Sequence, residues 1–385
     1  MTQLLQAADL RGAARLSTEA VAGLAGLVEA MRSRVATPPQ LPMLGRAAAA
    51  NEASAETLLG WLAAALAAAD PHLHGGPERE AILAALNGLL GDHLAATRSP
   101  LAIPMAFRHS GGSLLLDRYE LRSHYAGATP RVLVLLHELC MNDLQWQQAG
   151  HDHGEALARE LGYTPVYLHY NSGLSVSTNG RILAQMMERL YDVWPVPVGR
   201  LAMMGHGMGG LVARSAIHHG ALLQRGGLRW PGRVNDLVCL GTPHQGAPLG
   251  RAGQDVDLLL GAAPYAAPLA RLGKLRSAGI NDLRLGNVLS APSGDDGTQR
   301  AGQVGLPGAT RCFAVAASLG PATGQPKARL PGDGLVPVPS ALGQHGDADC
   351  HLDFDPELQA IVPDTGHLEL LSSPQVYGLL RLWLA

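Results

Sequence analysis

The segment LAMMGHGMGGLVARSA, residues 201–216, constrains the fold more than any other part of this 385-residue chain. The apolar residues 201–204 are typical of a short buried strand, and the residues from 211 onward are typical of a helix. Only a very tight turn fits between them, and the glycines of GHGMGG suit one because they allow close backbone approach and positive φ angles. The segment therefore predicts a strand, a sharp elbow and a helix in immediate succession.

Composition excludes several classes of protein. Hydrophobic residues make up 47% of the chain, enough to bury a sizeable core in one large or two modest domains. The net charge of -3 gives no basic surface for nucleic acid. The first residues lack the pattern of a secretory signal, and the most apolar run, 58–69, is too short for a membrane span. We therefore expect a cytoplasmic protein with no transmembrane segment and no nucleic-acid partner.

The four cysteines show no CxxC spacing, which argues against a zinc site or a redox motif. Cys239 lies in an apolar run and is expected to be a small buried hydrophobic residue. Cys312 and Cys350 would pair only if the protein were exported to an oxidising compartment. We expect no metal and no cofactor.

Residues 1–98 are rich in alanine and leucine at helical spacing. Helices are predicted from Ser17 to about residue 35, over 53–69 and over 78–95. We interpret this region as a helical N-terminal extension that packs on or beside the main domain. A lipid-contacting or oligomerising amphipathic surface is the alternative.

From about residue 99 to residue 385, strands alternate with helices, which predicts an α/β domain with a doubly wound, mostly parallel sheet. Leading strands are expected within 114–125, and a closing helix near the C-terminus. Between about 248 and 308 the alternation lapses into short leucine- and alanine-rich helices with glycine and proline. We expect this insertion to form a helical lid above the carboxyl edge of the sheet.

Candidate functional residues follow the apolar runs, because sites in such sheets form at the carboxyl ends of strands. Four clusters stand there: HELCMNDLQW at 137–146, GHGMGG at 205–210, GDGLVPVPSALG at 332–343 and DTGHLELL at 364–371.

With GTPHQG at 241–246, these clusters resemble, in order, the motifs of lipase- and esterase-like α/β-hydrolases. That family carries an HG turn, a GHSMGG elbow, a GTPHxG segment, a DGxVP segment and a late GH. The resemblance covers residues 110 to 385. It implies that Gly207 stands at the nucleophile position, Asp333 is the acid and His367 is the base. It also implies an oxyanion hole made by the backbone N–H groups of Leu139 and Met208.

Two residues depart from the family pattern. Gly207 stands in place of the serine, so no acyl-enzyme forms there. Glu138 stands in place of the glycine of the HG turn, where a carboxylate opposes oxyanion stabilisation unless it points away or is protonated. Asp364, three residues before His367, competes with Asp333 as the acid.

Three functions remain open on these residues. The first is a carboxylic ester hydrolase scaffold for acyl esters, in a nucleophile-deleted or repurposed form. The second is an acid–base site of Glu138, Asp333 and His367 that activates water or abstracts a proton. The third is a catalytically silent protein that binds a ligand.

Other polar groups have simpler interpretations. His151 and His153 are expected in a polar loop rather than at a metal. Ser215 lies two turns into the helix, which does not suit a substitute nucleophile. A solvated acidic loop is favoured over a calcium site for the aspartates Asp347, Asp349, Asp353 and Asp355.

Overall fold

A computed structural model describes residues 77–223, 227–248, 277–290, 304–321 and 331–385. The helices expected before residue 77 lie outside these residues, as does most of the expected lid. The helix expected over 78–95 is present as Pro77–Ala96.

Within these residues, eight strands form one sheet in the order β2-β1-β4-β3-β5-β6-β7-β8. The strands β3 to β8 pair in parallel, and β1 runs antiparallel to both β2 and β4. This order confirms the expected α/β class and the mostly parallel sheet. The strands are β1 Ala106–His109, β2 Gly112–Ser113, β3 Arg131–Leu136, β4 Thr164–His169, β5 Arg200–His206, β6 Val234–Leu240, β7 Arg311–Ala317 and β8 Gln359–Val362.

Helices cover both faces of the sheet, which makes it doubly wound. The helices are α1 Pro77–Ala96, α2 Arg118–His124, α3 His153–Leu161, α4 Val176–Val193, α5 Met208–Leu222, α6 Ala278–Leu285, α7 Val338–Ala341 and α8 Pro374–Leu384. Successive side chains of a strand point to opposite faces. Accordingly Val134 of β3 joins the core beneath α1, α4 and α5, while Leu135 joins the core beneath α3 and α8.

Helix α1 is part of the main core. Its Ala85 and Leu86 side chains are fully buried in the same apolar cluster as Val134. The Asn87 amide also donates to the Leu101 carbonyl and accepts from the Ile103 N–H, which ties α1 to the segment that leads into β1. The helix therefore packs on the sheet and reaches the end of the sheet's central strands.

The prediction of leading strands within residues 114–125 was wrong. They lie at 106–113, and residues 118–124 within the expected strand segment form α2 instead. Asp117 explains the difference, because its carboxylate accepts hydrogen bonds from the N–H groups of Tyr119 and Glu120 and so begins a helix.

Among the helices of the described residues, none combines the length and the apolar character that crossing a membrane requires.

Candidate active site

The elbow joins β5 to α5 at Gly207, whose φ is 50° and ψ is -117°. The flanking glycines are required for close packing. A Cβ on Gly205 would lie 2.2 Å from the Gly210 backbone nitrogen, and one on Gly209 would lie 2.1 Å from the Leu136 carbonyl oxygen. The structure therefore places the Gly207 Cα at the tip of a strained turn, directly before the N-terminus of a 15-residue helix.

Asp333 and His367 meet at the same edge of the sheet. Asp333 follows β7, and His367 follows β8 at the start of a short 3-10 helix. The Asp333 carboxylate lies 2.8 Å from His367 Nδ1, and its other oxygen accepts from the backbone N–H groups of Leu335 and Val336. Asp364 is exposed. The carboxylate that contacts the imidazole is therefore the one that the motif order indicated.

The Glu138 side chain points into the site, where its carboxylate contacts the His367 imidazole and two backbone N–H groups. Its Oε2 lies 3.0 Å from His367 Nε2. Its Oε1 accepts hydrogen bonds from the backbone N–H of Leu139, at 2.6 Å, and from that of Met208, at 2.9 Å. These are the two N–H groups expected to form the oxyanion hole. One carboxylate therefore occupies both the hole and the position opposite the imidazole.

The Glu138 side chain also fills the space that a side chain at residue 207 would take. A Cβ on Gly207 would lie 1.3 Å from Oε2 and 2.2 Å from the Cδ carbon of Glu138. The two departures from the family pattern are therefore sterically linked. With this Glu138 rotamer, only glycine fits at residue 207.

His367 is positively charged in this arrangement. Its ring is fully buried, and burial lowers its pKa. The charge and hydrogen bond of Asp333, followed by the hydrogen bond and charge of Glu138, outweigh burial and raise that pKa to about 10. Both ring nitrogens therefore donate to carboxylates at neutral pH. The imidazole does not start as the neutral base that a serine triad requires.

Two further histidines hold the site and stay neutral. His206 donates from Nε2 to the His367 carbonyl at 3.0 Å, and its ring lies 4.5 Å from the His367 ring. Burial and the charge of His367 hold its pKa well below the usual range. His137 donates from Nδ1 to the Glu138 carbonyl at 2.8 Å. Burial lowers the pKa of His137 to about 4, although the hydrogen bond to Glu138 opposes this shift.

The turn that carries Glu138 is supported from β4 and α1. The His137 ring stacks on Tyr170 at a centroid distance of 4.3 Å, and the Tyr170 hydroxyl donates to the His137 carbonyl. Cys140 has a φ of 62°, and its N–H donates to Ser172 Oγ at 3.1 Å. Gly88 of α1 packs against it so closely that a Cβ there would lie 2.3 Å from the cysteine sulfur.

Sequence reasoning did not single out Tyr170 or Ser172. The available signal was their position directly after the strand TPVYLH, at the same edge of the sheet as the other candidates. Gly88 carried no comparable signal, because a glycine within a helix does not reveal which segment packs against it.

The remaining polar groups are engaged in local structure. The Ser215 hydroxyl donates to the Val288 carbonyl at 2.7 Å. His151 Nε2 lies 2.8 Å from His153 Nδ1, and the other nitrogen of His153 donates to the Leu370 carbonyl. Asp347 and Asp355 cap short 3-10 turns. Within the part of the chain that the structure describes, no cluster of metal-ligating side chains is found, and all four cysteines are free.

A family model, the PGAP1-like alpha/beta domain, matches residues 167–265, from β4 to beyond β6. No curated protein sequence matches this chain.

Solved structures with a similar fold include the mature form of a Bacillus licheniformis lipase, at 17% identity and a TM-score of 0.40, covering 67% of this chain and 93% of the lipase. The thioesterase RedJ from Streptomyces coelicolor is similar at 17% identity and a TM-score of 0.36, covering 67% of this chain and 90% of that protein. An esterase from Pyrococcus furiosus is similar at 14% identity and a TM-score of 0.38, covering 67% and 84%. These values are too low to transfer an activity.

The family-model match falls on the segment that contains the elbow. The elbow between β5 and α5 lies within the matched residues, and the Asp–His pair lies after them. Residues 167–265 are thus similar to a PGAP1-like alpha/beta domain, within a mostly parallel α/β sheet.

Proposed function

We propose that this chain is a carboxylic ester hydrolase whose reacting groups are Glu138, His367 and Asp333 in place of a serine triad. One observation carries the proposal. The Glu138 carboxylate bridges His367 Nε2 and the two backbone N–H groups of the expected oxyanion hole. Acyl esters are the substrate class that the family resemblance suggests.

Acyl transfer through a serine is not part of this proposal. Residue 207 has no side chain, and the Glu138 carboxylate fills the space in which one would lie. With respect to serine chemistry, the chain is a nucleophile-deleted form. A carboxylate hydrogen-bonded to a buried imidazole has instead the composition of an acid–base site.

The proposed roles follow from the contacts. Asp333, held by the N–H groups of Leu335 and Val336, fixes the orientation of His367 through Nδ1. His367 carries the proton that is exchanged in the reaction, at Nε2. Glu138 is the partner of that proton and contacts the helix N-terminus, whose dipole favours negative charge.

A catalytically silent ligand-binding protein is the second candidate. The observation that favours it is that Leu139 N–H, Met208 N–H and His367 Nε2 all bond to the protein's own carboxylate. A substrate oxygen would have to displace Glu138 to reach these donors.

The test compares the wild type with Glu138→Gln and His367→Gln on p-nitrophenyl esters of increasing chain length. We expect turnover by the wild type and a loss of about 100-fold or more in each variant, since positioned acid–base groups contribute at least that much. Glu120→Gln, on the surface of α2, is the matched control and should keep wild-type activity.

Wild-type turnover no faster than that of Glu138→Gln would overturn the proposal. A rise in melting temperature with a non-hydrolysable ester analogue, without product from the corresponding ester, would support the binding protein instead.

A further inference from the structure

We infer that Glu138 is a covalent nucleophile that attacks, through Oε2, a saturated carbon bearing an oxygen leaving group, and that water then hydrolyses the resulting ester. The inference goes beyond the proposed ester hydrolase: it keeps Glu138, His367 and Asp333 as the reacting groups and changes the carbon that is attacked. An epoxide is the simplest substrate of this class, and a strained lactone opened at its alkyl carbon is the ester equivalent.

The two oxygens of Glu138 have different surroundings. Oε1 accepts from two backbone N–H groups, at 2.6 Å and 2.9 Å, one of them the first N–H of α5. Within the part of the chain that the structure describes, Oε2 has one hydrogen-bond partner, the imidazole, at 3.0 Å. Oε2 therefore needs to give up a single hydrogen bond to attack, while Oε1 keeps its donors.

The position of Oε1 suits the second half of such a reaction. When water attacks the Cδ carbon of an ester formed on Glu138, negative charge develops on Oε1. That oxygen already lies within hydrogen-bond distance of both donors and at the positive end of the α5 dipole. The oxyanion hole would thus stabilise an intermediate on the protein's own side chain.

The same geometry defines the substrate class. Attack on an acyl carbon places charge on the substrate's carbonyl oxygen, which needs the donors that Oε1 occupies. Attack on a saturated carbon places charge on the leaving oxygen instead, and the hole is not required. The arrangement therefore favours alkyl carbon over acyl carbon as the point of attack.

The proposed steps require no reagent other than water. Oε2 bonds to the saturated carbon as its bond to the leaving oxygen breaks, and that oxygen takes the proton of His367 Nε2 directly or through a water. The neutral imidazole then removes a proton from water as the water oxygen bonds to Cδ. The Cδ–Oε2 bond breaks, the departing oxygen takes the remaining water proton, and carboxylate and imidazolium are restored.

The protonation of His367 fits this sequence. The raised pKa of its ring keeps the proton needed by the leaving oxygen in place at neutral pH. Ester formation removes the negative charge of Glu138, which is one of the causes of the raised pKa. The imidazole then gives up its proton more readily and becomes the base for the attacking water.

The experiment treats the whole chain with 1,2-epoxybutane in water enriched in oxygen-18 and maps the Glu138 peptide by mass spectrometry. We expect either a hydroxybutyl ester on Glu138 or oxygen-18 in its carboxylate, because each completed turnover replaces Oε2 with the water oxygen. Glu138→Gln should show neither. His367→Gln lacks both the proton donor of the first step and the base of the second, and its oxygen-18 uptake should be slowed about 100-fold or more.

An unmodified Glu138 peptide without oxygen-18, or an adduct confined to other residues, would overturn the inference. If His367→Gln does not fold, Asp333→Asn provides the same slowing of the water step.

A second measurement separates this inference from the proposed function. Ester turnover in labelled water that places oxygen-18 in the acid product and none in Glu138 would retain the hydrolase and overturn the covalent route. Labelling of Glu138 by the epoxide without turnover of any ester would retain the nucleophile and overturn the ester hydrolase.

Discussion

The elbow between β5 and α5 and the turn after β3 lie side by side at the carboxyl edge of the sheet, yet different groups hold each in place. The elbow is fixed by backbone packing, with Gly205 and Gly209 pressed against neighbouring main-chain atoms. The turn is fixed by side chains, through the stacked His137–Tyr170 pair and the Ser172 hydroxyl. Backbone packing therefore sets the shape of the elbow, while side chains set the position of the turn that carries Glu138.

The consequence of this division is visible at one carboxylate. Gly207 contributes only its backbone, and Glu138 from the turn contacts the imidazole and both N–H donors. The catalytic roles that the sequence assigned to Asp333, His367 and Glu138 stay predictions. Substitutions in the elbow and substitutions in the turn should differ in the kind and size of their effects.

The double variant Glu138→Gly and Gly207→Ser, which restores the residues of the family pattern in the turn and the elbow, should have the largest effect on activity. Gly207→Ser alone places its Cβ against Oε2, and Glu138→Gly alone supplies no nucleophile. The double variant frees the two N–H donors and should exceed each single variant by about 1,000-fold in p-nitrophenyl ester hydrolysis, since one such donor contributes about 100-fold or more. A Gly207→Ser variant as active as the double variant would show that Glu138 does not block the site.

Adding a methyl group to the elbow should have the next largest effect, a loss of stability. In Gly209→Ala the new Cβ lies 2.1 Å from the Leu136 carbonyl oxygen, so a strand and a helix must separate. We expect the free energy of unfolding to fall by about 3 kcal/mol or more, measured by urea denaturation.

Gly127→Ala is the matched control, because a Cβ on Gly127 would meet no atom within 4 Å and its φ is not positive. Its stability should stay within about 0.5 kcal/mol of the wild type. Equal losses in the two variants would contradict the idea that backbone packing fixes the elbow.

The charge that the turn contributes should appear in the pH dependence of stability. His367 has a pKa raised from 6.5 to about 10, so its stabilising contribution is fully present below pH 6.5 and is lost as the pH rises through about 10. Glu138→Gln removes one of the two carboxylates that raise this pKa. Between pH 6.5 and 10 the free energy of unfolding should fall by about 2 kcal/mol less in this variant than in the wild type.

Urea denaturation at several pH values measures this difference, with Glu120→Gln as the surface control. Parallel pH profiles for the wild type and Glu138→Gln would show that the turn carboxylate does not hold the proton on His367.

The smallest effect should come from loosening the turn. Ser172→Ala removes the acceptor for the Cys140 N–H and should lower the free energy of unfolding by about 1 kcal/mol. Ser123→Ala, whose hydroxyl makes one exposed bond to a backbone carbonyl, should change stability less. A larger loss at Ser123 than at Ser172 would argue against support of the turn by β4.

Much of the fold was accessible from the sequence, because its signals are local. Apolar runs and the glycine-rich elbow indicated most strands and helices, and motif order indicated Asp333 and His367. The misplaced leading strands show the limit of periodicity, since the cap at Asp117 turned an apparent strand into α2. The support of the Glu138 turn by Gly88 of α1 was equally hidden, because it joins segments far apart in the chain.

By itself, the sequence determined the class of fold, the elbow without a side chain and the unusual carboxylate one residue after His137. Only the tertiary structure decided where that carboxylate points. Its direction depends on β3, β5 and β8 ending at one edge, so that two backbone N–H groups and a buried imidazolium converge on Glu138. A buried carboxylate is stable only where such donors and an opposite charge surround it, and that surrounding is a property of the assembled sheet.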